Sequence, residues 1–278
     1  MKATTMRATL ISAVLVVLLL FVAVGDVKAA TPYTTITMDF GWAMADSIFP
    51  RYNYVTVIGY NGAIQINADD DISELGANVI PYPTITDTLR LVSGSADDAA
   101  AGTGARDVEI YGLDANWNEQ SEHFTMAGTD TVQAANFYRR INNMYIYDVG
   151  SGGVAAGAIV LTNGAGDTTY AKITAGETQD LTAHFTIPSG KQGFITGWSA
   201  GAGSTKPVRF LLNATVDIGD RSRLGLFHSE DIILVQGSNA YIPFPIPIEL
   251  PDRCDVKITG FGVGGAGEGT ASVYIYYK

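Results

Sequence analysis

The stretch Arg106-Asp-Val-Glu-Ile-Tyr-Gly-Leu-Asp-Ala-Asn-Trp-Asn-Glu119 decides the fold. Val108, Ile110 and Gly112 fall on one face of an extended chain, and Asp107, Glu109 and Tyr111 on the other, which is the period of a half-buried strand. The polar run Asp114 to Glu119 then carries turn chemistry, because Asp and Asn side chains bond nearby backbone and tolerate unusual φ. A return strand is expected from Ser121 to Met126. The same strand–turn–strand pattern recurs at Ala158–Thr162, Asn163–Asp167 and Thr168–Ile173, and again at Leu181–Ile187, Pro188–Lys191 and Gln192–Ser199. Upstream, Tyr52, Tyr54, Thr56 and Ile58 share one face with Val55 and Val57 opposite, and Asn61-Gly62 reads as a hairpin turn into Ala63–Ile66. Downstream, Val208–Ile218, Ile232–Val235, Asp255–Phe261 and Ser272–Tyr277 read as further strands. Helical periodicity is nearly absent beyond the N-terminus, although Asp130–Arg140 fits either a short helix or the entry into a strand. Many short strands about ten residues apart predict an all-β protein, an antiparallel β-sandwich that is jelly-roll-like, preceded by an apolar leader helix.

The leader is read from Met1–Arg7, short and basic, then Ala8–Gly25, almost wholly apolar, then Val27-Lys-Ala29 with small residues at the signal-peptidase spacing. This order predicts a secretory signal over 1–29. The alternative is a retained membrane anchor, since residues 8–25 are just long enough to span a bilayer. The expected organisation is 1–29 signal or anchor, 30–84 an N-terminal β arm or extension, and 85–278 the β-sandwich domain, with the boundary near Pro81-Tyr-Pro83. Tyr241-Ile-Pro-Phe-Pro-Ile-Pro-Ile-Glu-Leu-Pro251 loses an N–H at every second position. It reads either as a sheet edge blocked against further pairing or as a polyproline-like crossover.

Composition narrows the function classes. The chain of 278 residues has a formal net charge of −11 and no Lys/Arg-rich run, which argues against nucleic acid as partner. Its single cysteine, Cys254, can form no intrachain disulfide. Charged residues make up only 16% of the chain, so its surfaces are expected to be polar and turn-rich more than ion-paired.

Few motifs carry chemistry. Asp114, Asn116 and Asn118 give the D-x-N-x-N opening of a calcium loop, but the sixth-position Gly and twelfth-position Glu are missing, so an Asx-rich hairpin turn explains them equally. Asp69–Asp71 is expected as a solvated acidic loop. His123 and His184 share a His-Phe-Thr context and are expected on polar strand faces, too few in number for a structural zinc site. Trp117 and Trp198 are the candidates for a partner or glycan surface, because aromatic faces stack on sugars. No Gly-x-Ser-x-Gly elbow and no phosphate loop is present, and no acid–base pair can be singled out, so an enzyme and a bound cofactor are not expected.

Asp97–Arg106, Val108–Glu119, Arg140-Ile-Asn142, Ala158–Gly164, Phe185–Lys191 and Ile242–Pro251 together resemble a module of poorly characterised structural proteins of marine tailed phages and related viruses, over about residues 89–278. The resemblance implies a non-enzymatic, virion-associated β-sandwich on a virion or particle surface, forming homo-oligomers or joining other particle subunits. It assigns no site residues. Secreted glycan-binding or adhesion modules and extracellular filament subunits are the alternatives that the leader and the aromatic residues suggest.

Overall fold

A computed structural model of the chain describes residues 52–278, apart from 67, 76–78, 85–86, 204–205, 217–218 and 220. The leader over 1–29 and the part of the extension before residue 52 lie outside the described residues. Those described are all-β, with sixteen strands, every pairing antiparallel, and no helix.

Two sets of sheets each enclose one buried apolar cluster. In the first, β1 (Asn53–Ile64), β16 (Gly267–Tyr277), β11 (Gly193–Ala202) and β14 (Ser238–Leu250) lie in that order in one sheet. A second sheet has the order β10 (His184–Thr186), β15 (Asp255–Gly262), β12 (Val208–Val216) and β13 (Arg223–Val235), with β2 (Asp70–Asp71) also on β15. Trp198, Phe210, Ile64 and Ile72 share their core. The other set spans 90–173. It comprises β6 (Val132–Gln133), β3 (Arg90–Ser93), β8 (Ile159–Thr162) and β9 (Thr169–Ile173) in one sheet, and β5 (Glu119–Thr125), β4 (Ala105–Leu113) and β7 (Arg140–Val149) in the next. Leu91, Ile110, Phe124, Tyr138 and Met144 fill that core. The alternation at Val108 and Ile110 thus places both side chains inside, and Leu113 joins them at the strand end.

Strand β1 pairs with β16 from Asn53 opposite Tyr277 to Ile64 opposite Gly267. The 53–64 segment, expected in an N-terminal extension, therefore lies in one sheet with the C-terminal strand. Asn61-Gly62 is not a hairpin. It is a bulge within β1, held because the Asn61 side chain accepts from the Ala63 N–H at 2.8 Å and donates to the Asp71 carbonyl at 3.0 Å. A second correction concerns Pro188–Lys191. The flanking strands do not pair with each other: β10 joins β15, whereas β11 joins β14 and β16, so this turn crosses from one sheet to the other. Asp130–Arg140 resolves without a helix, as β6 followed by the start of β7. The proline-rich segment is strand β14, at the end of its sheet. Between Pro243 and Ile248 four residues stand opposite the single Thr196, so Phe244–Pro247 bulges from the ladder.

Candidate functional site

The two sets of sheets meet at a buried polar cluster. Arg140, first residue of β7, donates from Nε to Asp255 Oδ1 at 2.9 Å and from Nη2 to Asp255 Oδ2 at 3.0 Å, the two-pronged geometry that suits guanidinium and carboxylate. Thr186 Oγ1 donates to Asp255 Oδ1 at 2.6 Å, and Asp255 N–H donates to Thr215 Oγ1 at 2.9 Å. His184 Nε2 stands 3.8 Å from the same carboxylate, its ring 5.1 Å from that of Tyr82. The Arg140 guanidinium also lies 3.9 Å above the Tyr82 ring. Burial works against the Asp255 charge, but hydrogen bonds and charge from His184 and Arg140 outweigh it and hold the carboxyl well below the usual carboxylate range. Burial and the neighbouring Asp255 push the Tyr82 hydroxyl far above an ordinary phenol. Both oxygens of the Asp255 carboxylate are engaged, so the arrangement anchors one set of sheets on the other.

Beside this cluster lies a cleft of about 290 Å³. Tyr54 of β1, Tyr277 of β16 and Phe185 of β10 line it from one side, and Tyr111 of β4, Asn142 and Asn143 of β7 and Glu119 of β5 from the other. Asn142 is locked in place: its Nδ2 donates to the Thr186 carbonyl and its Oδ1 accepts from the Thr186 N–H, both at 3.0 Å. Tyr277 donates to Glu119 Oε1 at 2.7 Å, and the Phe185 and Tyr277 ring centres are 5.6 Å apart. Gly112 also borders the cleft. A Cβ there would come within 2.2 Å of the Arg140 carbonyl, so only glycine lets β4 approach β7 this closely. A larger hollow of about 450 Å³ opens at the ends of β1, β11, β14 and β16, its walls divided between small residues such as Gly201 and Ala202 and the side chains of Tyr60, Ser238, Asn239, Glu268 and Thr270.

The residues singled out in the sequence are scattered across this frame. Trp198 is fully buried, and its Nε1–H donates to Asp231 Oδ2 at 2.9 Å, so its ring has no face to offer a sugar. Trp117 sits at the β4–β5 turn with φ +68°, and its ring is flanked by the guanidiniums of Arg139, Arg140 and Arg223 at 4.8, 4.9 and 5.5 Å. Its carbonyl accepts from Ser189 N–H at 2.8 Å, which ties the turn to the β10–β11 crossing. Trp117 is thus occupied as a wedge between the two sets of sheets, and the structure does not bring it together with Trp198. The Asp114 carboxylate is turned into its own loop, Oδ1 accepting from the N–H groups of Asn116 and Asn118 at 2.7 and 2.9 Å and Oδ2 from Asn118 Nδ2 at 3.2 Å. These bonds realise the Asx turn. Among the described residues no group of three or more His, Cys, Asp or Glu side chains is arranged to hold a metal ion.

His123 and His184 lie in different sheets. His123 is half exposed, 3.3 Å from Glu109, whereas His184 is buried, not on a polar face, because Tyr82 and Asp255 close over it. Asp70 and Asp71 are buried as well, against the expectation of a solvated loop. β2 docks on β15, Lys257 Nζ reaches Asp71 Oδ1 at 2.7 Å, and the Ile80 N–H donates to Asp71 Oδ2 at 2.6 Å. Asp98 is wholly buried: its carboxylate accepts from the N–H groups of Ala105, Ala156 and Gly157 at 2.7, 2.8 and 2.9 Å and from the Ser93 hydroxyl. Burial alone would raise its pKa, but those four donors hold it below the usual range. Sequence reasoning gave Arg140, Asn142 and Asp255 no role in a site, because their partners are far away along the chain. Cys254 is buried, and burial pushes its thiol up to about 11, which keeps it unreactive.

No protein-family model and no curated protein matches the sequence. Among solved structures, the chain is similar to that of infectious bursal disease virus, Gt strain, at 9% identity over 81% of this chain and 67% of that one, with a TM-score of 0.22. The Gx strain gives 10% identity over 81% and 70%, TM-score 0.21. The T13 particle of the same virus gives 9% over 82% and 72%, TM-score 0.18. At these TM-scores the likenesses carry no argument about the present chain.

Proposed function

We propose that this chain is a non-enzymatic structural subunit of a virion or particle surface, in which each set of sheets forms a β-sandwich, jelly-roll-like in character, and copies associate through side chains. The observation that carries the reading is the apolar exposure of β13 and β14, consecutive strands that stand at the ends of two different sheets. They turn Leu226, Ile232, Leu234, Tyr241 and Ile246 to solvent, the last 85% exposed. Clusters of large apolar side chains left open to water favour burial against a partner. The closed character of the Arg140–Asp255 cluster, which fixes geometry instead of doing chemistry, supports the same reading. The sequence resemblance to virion-associated proteins points the same way, and with it goes a location on the particle surface, reached through the leader over 1–29.

The test is the mass of the full chain by light scattering, with electron micrographs of the same sample. Defined assemblies are expected. Ile232→Asp with Leu234→Asp is expected to return monomers of unchanged circular dichroism. A wild-type chain that stays monomeric at every concentration sinks the proposal.

A further inference from the structure

We infer that the cleft between Tyr54 and Tyr111 is a binding site for a single neutral sugar ring, an activity separate from particle building and not resting on it. The inference starts from what the cleft offers. Tyr54 and Tyr111 project from sheets that belong to the two different cores, and they are 54% and 44% exposed. Each therefore keeps ring surface open to solvent, while Phe185 beneath them is buried. A pyranose has one face of C–H groups and a rim of hydroxyls. It needs an aromatic wall for the first and paired donors and acceptors for the second.

The rim chemistry is present. Asn143, directly across the β4–β7 ladder from Tyr111, borders the cleft with a carboxamide that has no hydrogen-bond partner among the described residues. A carboxamide both donates and accepts, as two neighbouring hydroxyls require. Glu119 accepts from Tyr277 at Oε1, and among the described residues its Oε2 has no recorded hydrogen-bond donor. That carboxylate also sets the class of ligand. Its negative charge disfavours sialylated or sulfated sugars, and the nearby Arg140 cannot offset it because both prongs are spent on Asp255. Rigidity is supplied from behind: Asn142 is pinned on both ends to Thr186, and Tyr111 stacks with Tyr145 at 6.0 Å and an interplanar angle of 12°. A volume of about 290 Å³ sits at the lower end of small-ligand sites, which are roughly 300–1,000 Å³, and fits one ring better than a chain of them.

The experiment uses the full chain on an array of neutral and sialylated glycans, followed by titration with the methyl glycosides of whichever monosaccharide terminates the bound structures. Tyr111→Ala and Asn143→Ala are each expected to weaken binding at least tenfold with circular dichroism and melting temperature held close to wild type. Tyr147→Ala is the control: it removes a tyrosine more exposed than Tyr111, from the same strand as Asn143 but outside the cleft. Asn143→Gln is expected to restore part of what Asn143→Ala loses. A silent array overturns the inference, and so does binding confined to sialylated glycans. Capture of a proline-rich peptide in place of sugars overturns it too, as does binding that Tyr111→Ala and Asn143→Ala leave intact. Light scattering on the same samples reports assembly separately, so failure of the sugar site and failure of the particle reading are distinguishable.

Discussion

The two cores are of similar make but are assembled differently. The core around Leu91, Ile110 and Phe124 draws only on residues between Leu89 and Ile173, one continuous stretch of the chain. The core around Trp198 and Phe210 takes Val57, Ile64 and Ile72 from one end and residues 183–275 from the other. The first set contains the short hairpins β4–β5 and β8–β9. The second must wait until β16 is made before β1 has a partner. Loop-closure entropy makes such pairing slow relative to hairpins. The contrast teaches that one chain can hold an early-folding and a late-folding region with the same antiparallel chemistry in both.

The sharpest way to break that contrast is to weaken one core and watch the other. Phe210→Ala should cost about 3–5 kcal/mol, read as a loss of amide protection in β12 and β15, with β4 and β8 keeping theirs. Equal loss in both sets of sheets would show that they unfold as one body. Next comes the link between them. Arg140→Ala strands the buried Asp255 charge and should cost about 3–5 kcal/mol in chemical denaturation, while the double replacement Arg140→Met with Asp255→Leu should recover much of it. Within the locally built region, Asp98→Ala frees three backbone N–H groups and should cost about 1–3 kcal/mol, felt at β3, β4 and β8 and not at β12.

Acidity separates the regions more gently. Asp255 and Asp98 are held below their usual range, so their contribution is complete above the ordinary carboxylate pKa of about 4 and is lost as pH falls through the depressed values. Asp180 runs the other way: burial and nearby Glu74 push it up to about 7, against the Thr182 hydroxyl. Its protonated form suits the fold, so stability should rise as pH drops from above 7 towards 4. Denaturation midpoints are expected to peak on the mildly acidic side of neutrality, and Asp180→Asn should flatten the upper limb of that curve. The smallest expected effect is that of calcium. With the Asp114 carboxylate already bonded inside its loop, millimolar Ca²⁺ should leave the melting temperature unchanged, and a clear rise would reopen that loop as a cation site.

How much could be read in advance followed the same divide. The β4–β5 and β8–β9 hairpins were legible, because alternation and Asx turns act within a dozen residues. The pairing of β1 with β16 was not, since nothing in Asn53–Ile64 names a partner two hundred residues away. Asn61-Gly62 misled because the dipeptide favours a tight turn or a bulge equally, and Asp71 fixed the choice from outside the segment. Pro188–Lys191 misled because a turn sequence specifies reversal but not which sheet the chain enters next. The site fared worst. Trp198 shares a strand with Ala200 and Ala202, small residues that hid its inward face, and the cleft brings together Tyr54, Tyr111, Asn143 and Tyr277 from four strands.

One further consequence comes from Ser73 and Thr182. They form an antiparallel bridge, their hydroxyl oxygens 2.9 Å apart, and the Ala183 N–H donates to the Ile72 carbonyl at 2.9 Å. The chain therefore departs and comes back at a single stitched point. Everything between is a detour that begins and ends at the same door, so a short linker across Ser73 and Thr182 would span the gap. The excursion is thus fastened at both ends by one bridge, yet it is not freely replaceable: Arg140 and Asn142 lie within it, and without them the buried Asp255 carboxylate and the Thr186 backbone would need other partners.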